Sequence, residues 1–299
     1  MAAQTAPTQF VDSAQGIRFA YRTIVTNSTS GVPLVCHNHF RGNMDWWDPS
    51  LLNALAKRRP VVLFDGQGVG RTAGTVPLSI EDMAEDMIHF VEAVPALQGR
   101  KVDLLGYSMG SRVVQAVALL RPDLVRKLVL AGAAPVYKTP DTPAAPPRGQ
   151  MGAMVKATSS QETKDAFRLA LFGDRELHRK HLEAYWARLE ERNVEPPNLR
   201  ALDVEPGTMN QIKASMKADG AENARWPDRL AELKMPALVC NGDNDLVLGN
   251  ERTLELFHRL PNAQLIMYPK SGHGFLWQYA ELFAEHVNTF LDTAAFDED

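Results

Sequence analysis

Leu104-Leu105-Gly106-Tyr107-Ser108-Met109-Gly110 is the stretch on which the reading of this chain turns. The apolar run Val102 to Leu105 leads into it, and apolar residues at helical spacing from Val113 to Leu120 lead out. Gly-x-Ser-x-Gly between a strand and a helix is the pattern of a tight turn that lifts a serine hydroxyl clear of a sheet. Its two glycines allow close backbone approach on either side of a residue held in an unusual conformation. Five residues of such a pattern also recur by chance, so the rest of the chain has to support it.

Outward from that turn, strands and helices alternate. On the N-terminal side, Ser79-Ile80-Glu81-Asp82 carries the cap and the acid that open a helix, continued by Met83, Met87, Ile88, Val91 and Val94. Before it lie the buried-strand runs Pro60 to Asp65 and Val32 to Cys36, with a helix predicted from Trp46 to Lys57 between them. Residues 9–26 alternate around Gly16 and predict an antiparallel hairpin at a sheet edge. On the C-terminal side, Lys127 to Gly132 is a further strand. The rhythm then stops from about 135 to 226. That span has a proline-rich segment (138–149) and helical stretches near Met151, Lys164–Leu171, Arg175–Glu191 and Met209–Lys217. The third stretch presents Leu177, His181, Ala184, Tyr185 and Leu189 as its apolar face. Strands resume at Pro236 to Asn241 and Ala263 to Tyr268, and a last helix is predicted from Phe275 to Leu291. Such alternation predicts an α/β fold with a parallel sheet covered on both faces. The domain division expected is a core of 1–134 and 227–299 with a helical insertion, 135–226, used as a lid. A dimerisation surface is the other use weighed for the insertion.

Composition narrows the function. The chain has 299 residues, 45% of them apolar and 23% charged, with a net charge of −4. These values fit an ordinary soluble protein and offer no basic run to attract nucleic acid. No apolar run reaches the ~20 residues of a membrane span, and the N-terminus has neither the basic start nor the apolar core of a signal peptide. A cytoplasmic protein with no membrane or nucleic-acid partner is expected, with a homodimer left open. Cys36 and Cys240 each lie in an apolar run and read as buried free thiols. Asn27-Ser28-Thr29 reads as a polar loop rather than a glycosylated sequon. The glycines of Gly66-Gln67-Gly68-Val69-Gly70 do not fit a dinucleotide-binding spacing. His37 and His39 lack the further ligands a zinc site needs. No cofactor is expected.

A serine nucleophile requires a base, and the base requires an orienting acid. In a parallel sheet such groups come from loops at the carboxyl ends of strands. Ser108, an aspartate in Gly242-Asp243-Asn244-Asp245, and His273 in Ser271-Gly272-His273-Gly274 occupy three such loops. The order Ser, Asp, His and the lid position resemble the α/β-hydrolase superfamily, in its branch of lid-bearing serine esterases and cofactor-free haloperoxidase-like enzymes. The resemblance runs from residue 9 to 293. It implies an α/β-hydrolase fold: a mostly parallel, doubly wound sheet with an antiparallel N-terminal hairpin. The family's Gly-x-x-Asp pattern selects Asp245 as the acid and leaves Asp243 to cap a turn. It also implies an oxyanion hole made by two backbone N–H groups. One belongs to Met109. The other comes from the loop His37-Asn38-His39-Phe40-Arg41-Gly42, which departs from the family's His-Gly-x. Phe40 is preferred for that role, with His39 as the alternative.

The expected chemistry is hydrolysis of an ester or lactone of a small, mostly apolar substrate through an acyl-enzyme. Carbon–carbon bond hydrolysis and peracid formation would use the same residues. A hydrolase-like receptor that binds a ligand and turns it over slowly is the non-enzymatic alternative. Phe167, Phe172, Tyr185, Trp186, Met209 and Met216 of the insertion could line an apolar pocket or form its core.

Overall fold

The computed structural model describes residues 1–26, 31–146, 151–173, 175–220 and 227–294, with 227 and 228 described as backbone alone. The sequon at Asn27 and the end of the proline-rich segment lie outside them. The strands are β1 (Gln9–Asp12), β2 (Arg18–Ile24), β3 (Leu34–His37), β4 (Val61–Phe64), β5 (Val102–Tyr107), β6 (Val125–Ala131), β7 (Ala237–Gly242) and β8 (Ala263–Tyr268). They form one sheet in the order β1-β2-β4-β3-β5-β6-β7-β8. β1, β2 and β4 pair antiparallel, and every pairing from β4 through β8 is parallel. A parallel sheet must be covered on both faces, which explains why β4, β5 and β7 are buried at every position.

Alternation along the central strands assigns the two faces. Val102 and Leu104 of β5, with Leu128 and Leu130 of β6, join the core beneath α2 (Ile80–Ala93) and α3 (Met109–Leu120). Leu105 and Tyr107, with Val129 and Ala131, join the opposite core beneath α1 (Pro49–Leu55). The Ser79 side chain caps α2 by accepting from the Asp82 N–H, as its sequence predicts. The segment predicted to be a helix from Trp46 is shorter: a 3₁₀ turn at Met44–Trp46 precedes α1, whose start is fixed by the Asp48 cap and Pro49.

Between β6 and β7 the described residues contain no strand, and their helices include α4 (Met151–Lys156), α5 (Ser160–Phe167) with a wider turn to Phe172, α6 (Glu176–Leu189) and α7 (Met209–Ala218). The face of α6 departs from the expected stripe. His178, Leu182, Tyr185, Trp186 and Leu189 are buried, while Leu177 is 49% exposed. The two large rings decide this. Tyr185 stacks on Trp277 (4.4 Å between centroids) and Trp186 meets Trp46 edge-on. Arg188 closes a two-bond pair with the buried Asp48 carboxylate (2.8 and 2.6 Å), and Tyr185 Oη donates to the Trp46 carbonyl (2.8 Å). After β7 and its loop, α8 (Asn250–Arg259) leads to β8. The predicted last helix is interrupted at Tyr279 into α9 (Phe275–Gln278) and α10 (Ala280–Asp292). The break lets α9 pack against α6 while α10 packs against α1.

Candidate active site

The carboxyl ends of β5, β6, β7 and β8 stand side by side: Tyr107 pairs with Ala131, Ala131 with Cys240, and Gly242 with Tyr268. The residues that follow these ends are therefore neighbours, although 165 positions separate Ser108 from His273 in the chain.

Ser108 follows β5 with φ 57° and ψ −118°, a conformation L-residues rarely hold. The turn is over-determined by its surroundings. Ser108 N–H donates to the Ala131 carbonyl (2.9 Å), and the Ser108 carbonyl accepts from both Ser111 N–H and Ser111 Oγ. The flanking glycines are required on contact grounds. A Cβ on Gly106 would sit 2.3 Å from the Gly110 carbonyl oxygen, and one on Gly110 2.3 Å from the His37 carbonyl oxygen.

His273 is buried in the loop after β8. Its Nδ1 lies 2.8 Å from Asp245 Oδ2. A carboxylate only accepts, so Nδ1 carries a proton, and in the neutral imidazole Nε2 then presents the lone pair. That Nε2 has no partner among the described residues, and the Ser108 hydroxyl makes no hydrogen bond to it in this structure. Catalytic hydrogen bonds are often longer before a substrate is bound. Tyr107 lies beside the imidazole and donates its hydroxyl proton to the His273 carbonyl (3.0 Å). Gly132 (φ 53°) closes the other side: a Cβ there would lie 2.9 Å from His273 Cε1.

Asp245 is held by four donors. Oδ1 accepts from the N–H groups of Val247 (2.7 Å) and Leu248 (3.1 Å), and Oδ2 from Asn241 Nδ2 (2.9 Å) and His273. Burial raises the carboxyl's pKa, but His273 and these hydrogen bonds outweigh it and hold the group below its ordinary value. Asp243 has a different role. It accepts from Lys270 N–H (2.9 Å) and Ser271 N–H (3.1 Å), tying down the loop that carries His273. The structure thus brings Asp245, and not Asp243, to the imidazole.

Met109 opens α3, where the first N–H groups of a helix have no partner within it. In the facing loop, the Asn38 side chain accepts from His39 N–H (2.8 Å) and donates to the Asn43 carbonyl (2.6 Å). His39 N–H is therefore engaged, whereas no hydrogen bond is made by Phe40 N–H among the described residues. Arg41 fixes the loop beyond. It has φ 66° and is buried, and its guanidinium donates to the carbonyls of Leu202, Met154 and Val155 while its N–H donates to Gln211. The inserted helices are thereby fastened to the loop that presents Phe40.

Both histidines of this loop are neutral. Burial pushes each down to about 4, and each Nδ1 donates to a carbonyl, His37 to Asn38 and His39 to Phe40. Among the described residues no three His, Cys, Asp or Glu side chains gather as a metal ion would require. Cys36 and Cys240 are free and buried, and burial pushes both thiols up. The insertion's Phe167, Phe172, Tyr185 and Trp186 are buried and pack with Trp46 and Trp277, whereas Met216 is 65% exposed. A small hollow of about 10 Å³ between His39, Phe40, Trp46 and Phe167 adjoins the loop. A more polar hollow of about 190 Å³ lies aside, between Arg41, Asn43, Arg200 and Asp203, and none of Ser108, Asp245 and His273 lines it.

Two supporting residues escaped the sequence reading. Asn241, which braces Asp245, reads as the end of an apolar strand, although a lone amide in such a run is itself a signal. Gly132 reads from sequence only as a strand terminus, because its contact with His273 depends on tertiary structure.

A sequence profile of the α/β hydrolase fold matches residues 32–280, and the chain belongs to that family. Among curated relatives, the Caulobacter sp. (strain K31) protein named "Putative carbamate hydrolase RutD" is 27% identical over 268 residues, covering 85% of this chain and 88% of its own length. Among solved structures, an α/β hydrolase fold protein from Chitinophaga pinensis is 31% identical with a TM-score of 0.80, over 96% of this chain and 98% of that one. The esterase RhEst1 from Rhodococcus sp. ECU1013 shares the fold at 21% identity and a TM-score of 0.71, over 96% and 98% of the two chains. Among the described residues no helix is long and apolar enough to cross a membrane.

Proposed function

We propose that this protein is a serine hydrolase that cleaves an ester or lactone of a small, mostly apolar substrate through an acyl-enzyme. The observation that carries the reading is the Asp245–His273 hydrogen bond. It leaves the Nε2 lone pair as the base beside a strained turn carrying Ser108. In the proposed mechanism, Ser108 Oγ attacks the carbonyl carbon while Nε2 takes its proton. The N–H groups of Met109 and Phe40 receive the developing oxyanion. The imidazolium then protonates the leaving alkoxide, and a water activated by the same nitrogen releases the acid. The Trp46 and Phe167 rings close to Phe40 favour an apolar acyl group. The helical insertion 135–226, anchored by Arg41 and Arg188, would serve as the lid that excludes water. Carbamates form the second substrate class, supported by the name of the Caulobacter relative.

Intact mass after fluorophosphonate treatment, alongside hydrolysis of short-chain aryl esters, lactones and carbamates, tests the proposal. A single adduct on the wild type that is lost in Ser108→Ala, together with turnover, is expected. Turnover retained in Ser108→Ala would refute it, and an adduct without turnover of any of these substrates would favour a ligand receptor.

A further inference from the structure

The carboxyl group of Asp86, on α2, is enclosed where the proposed chemistry has no use for it. Asp86 is 8% exposed, and its Oδ2 has no hydrogen-bond partner among the described residues. The side chain borders a cavity of about 30 Å³ whose wall includes His37, Gln67, Met83, Met109 and Gln211. Met109 is the residue after Ser108, so the cavity shares a wall with the acyl site.

The polar groups of this wall have a definite character. With its Nδ1 proton given to the Asn38 carbonyl, His37 has only a lone pair left to offer at Nε2. Gln211 Oε1 is already engaged by Arg41 N–H. Asp82 and Glu85, on the same helix, add negative potential, and no Lys or Arg among the described residues offsets it at Asp86. The side-chain amides of Gln67 and Gln211 also border the cavity, but neither donates to Asp86 Oδ2, so this buried carboxyl, beside a neutral imidazole acceptor and in a negative field, lacks a positive charge and its Oδ2 a donor. The volume sets the size. About 10–15 Å³ holds one water, so the cavity admits an ammonium-sized head and no ring.

We propose that Asp86 and His37 form a binding site for a primary ammonium group, carried by the substrate and seated beside the acyl centre. It rests on the serine-hydrolase reading for the statement that the ligand is the substrate, and on the cavity alone for its chemistry.

The test is calorimetric titration of n-butylammonium chloride into the whole protein, with 1-butanol as the neutral control. Saturable binding of butylammonium and at least tenfold weaker binding of butanol are expected. Asp86→Asn keeps the shape and removes the charge, and should weaken butylammonium at least tenfold. Gln67→Lys, which brings a cation to the same wall, should abolish butylammonium binding by pairing with Asp86; it replaces the first variant if that one does not fold. Equal binding of amine and alcohol, or butylammonium binding unchanged in the folded variant, would overturn the site. Because calorimetry needs no turnover, absence of ester hydrolysis would count against the serine-hydrolase reading without touching this result.

Discussion

Asp245→Asn gives the sharpest test of the site, because the structure dictates which way the new amide must face. Oδ1 accepts from two backbone N–H groups, so the amide oxygen has to stay there. The new NH₂ then occupies the Oδ2 position, facing the donors Asn241 Nδ2 and His273 Nδ1. The imidazole can adapt only by moving its proton to Nε2 and accepting at Nδ1. Nε2 is then no longer a base, while the shape of the site is almost unchanged. The same exchange in serine proteases lowers kcat about 10⁴-fold, equivalent to about 5 kcal/mol of transition-state stabilisation. Steady-state hydrolysis of an aryl ester should show this loss in kcat with little change in KM. Fluorophosphonate labelling of Ser108 should slow in parallel, since it depends on the same base. A variant retaining more than about a tenth of wild-type kcat would show that Asp245 does not set the tautomer.

Other consequences follow from buried groups. Asp45 is fully enclosed and pairs with Arg22 (2.5 Å) and Arg71 (2.6 Å), and burial, which would raise its pKa, is outweighed by these cations. Asp45→Asn should cost about 3–5 kcal/mol in urea unfolding at pH 7. Because the folded-state pKa is depressed, that stabilisation is present above about pH 4 and fades as pH falls through the folded value, so the gap to the variant should close in acid. Asp86 has the opposite sign. Burial, with Asp82 and Glu85, lifts it from 3.8 to about 7, so its ionisation destabilises the fold as pH rises from about 4 to about 7. Asp86→Asn should therefore be the more stable protein at pH 8, by at most about 4 kcal/mol, and no more stable at pH 4. Gly110→Ala would drive a methyl group against the His37 and Asn38 carbonyls, and should lower both the melting temperature and kcat. Unchanged values would mean that the loop holding Phe40 does not need that approach.

Local signals determined much of this protein. The turn from Gly106 to Gly110 could be read because a strand, a sharp turn and a helix are each short-range features, and the glycines are required by the turn itself. The sheet's parallel core was legible because burial on both faces demands continuous apolar runs, as at Val61–Phe64 and Ala237–Gly242. Chain order and the Gly-x-x-Asp pattern pointed to Asp245. What sequence could not decide depends on groups far apart in the chain. The buried face of α6 is shifted from the predicted stripe because Tyr185 and Trp186 find partners in Trp277 and Trp46, and no periodicity within α6 encodes those rings. That His39 N–H is engaged depends on the Asn38 side chain folding back to accept it. Asp86 looked like any acid on a helix, and only the tertiary structure places it on a cavity wall with His37, Gln67 and Met109, its Oδ2 without a partner among the described residues. Sequence carries the conformations that neighbouring residues impose on each other. Which polar groups end up satisfied is decided only when distant segments meet.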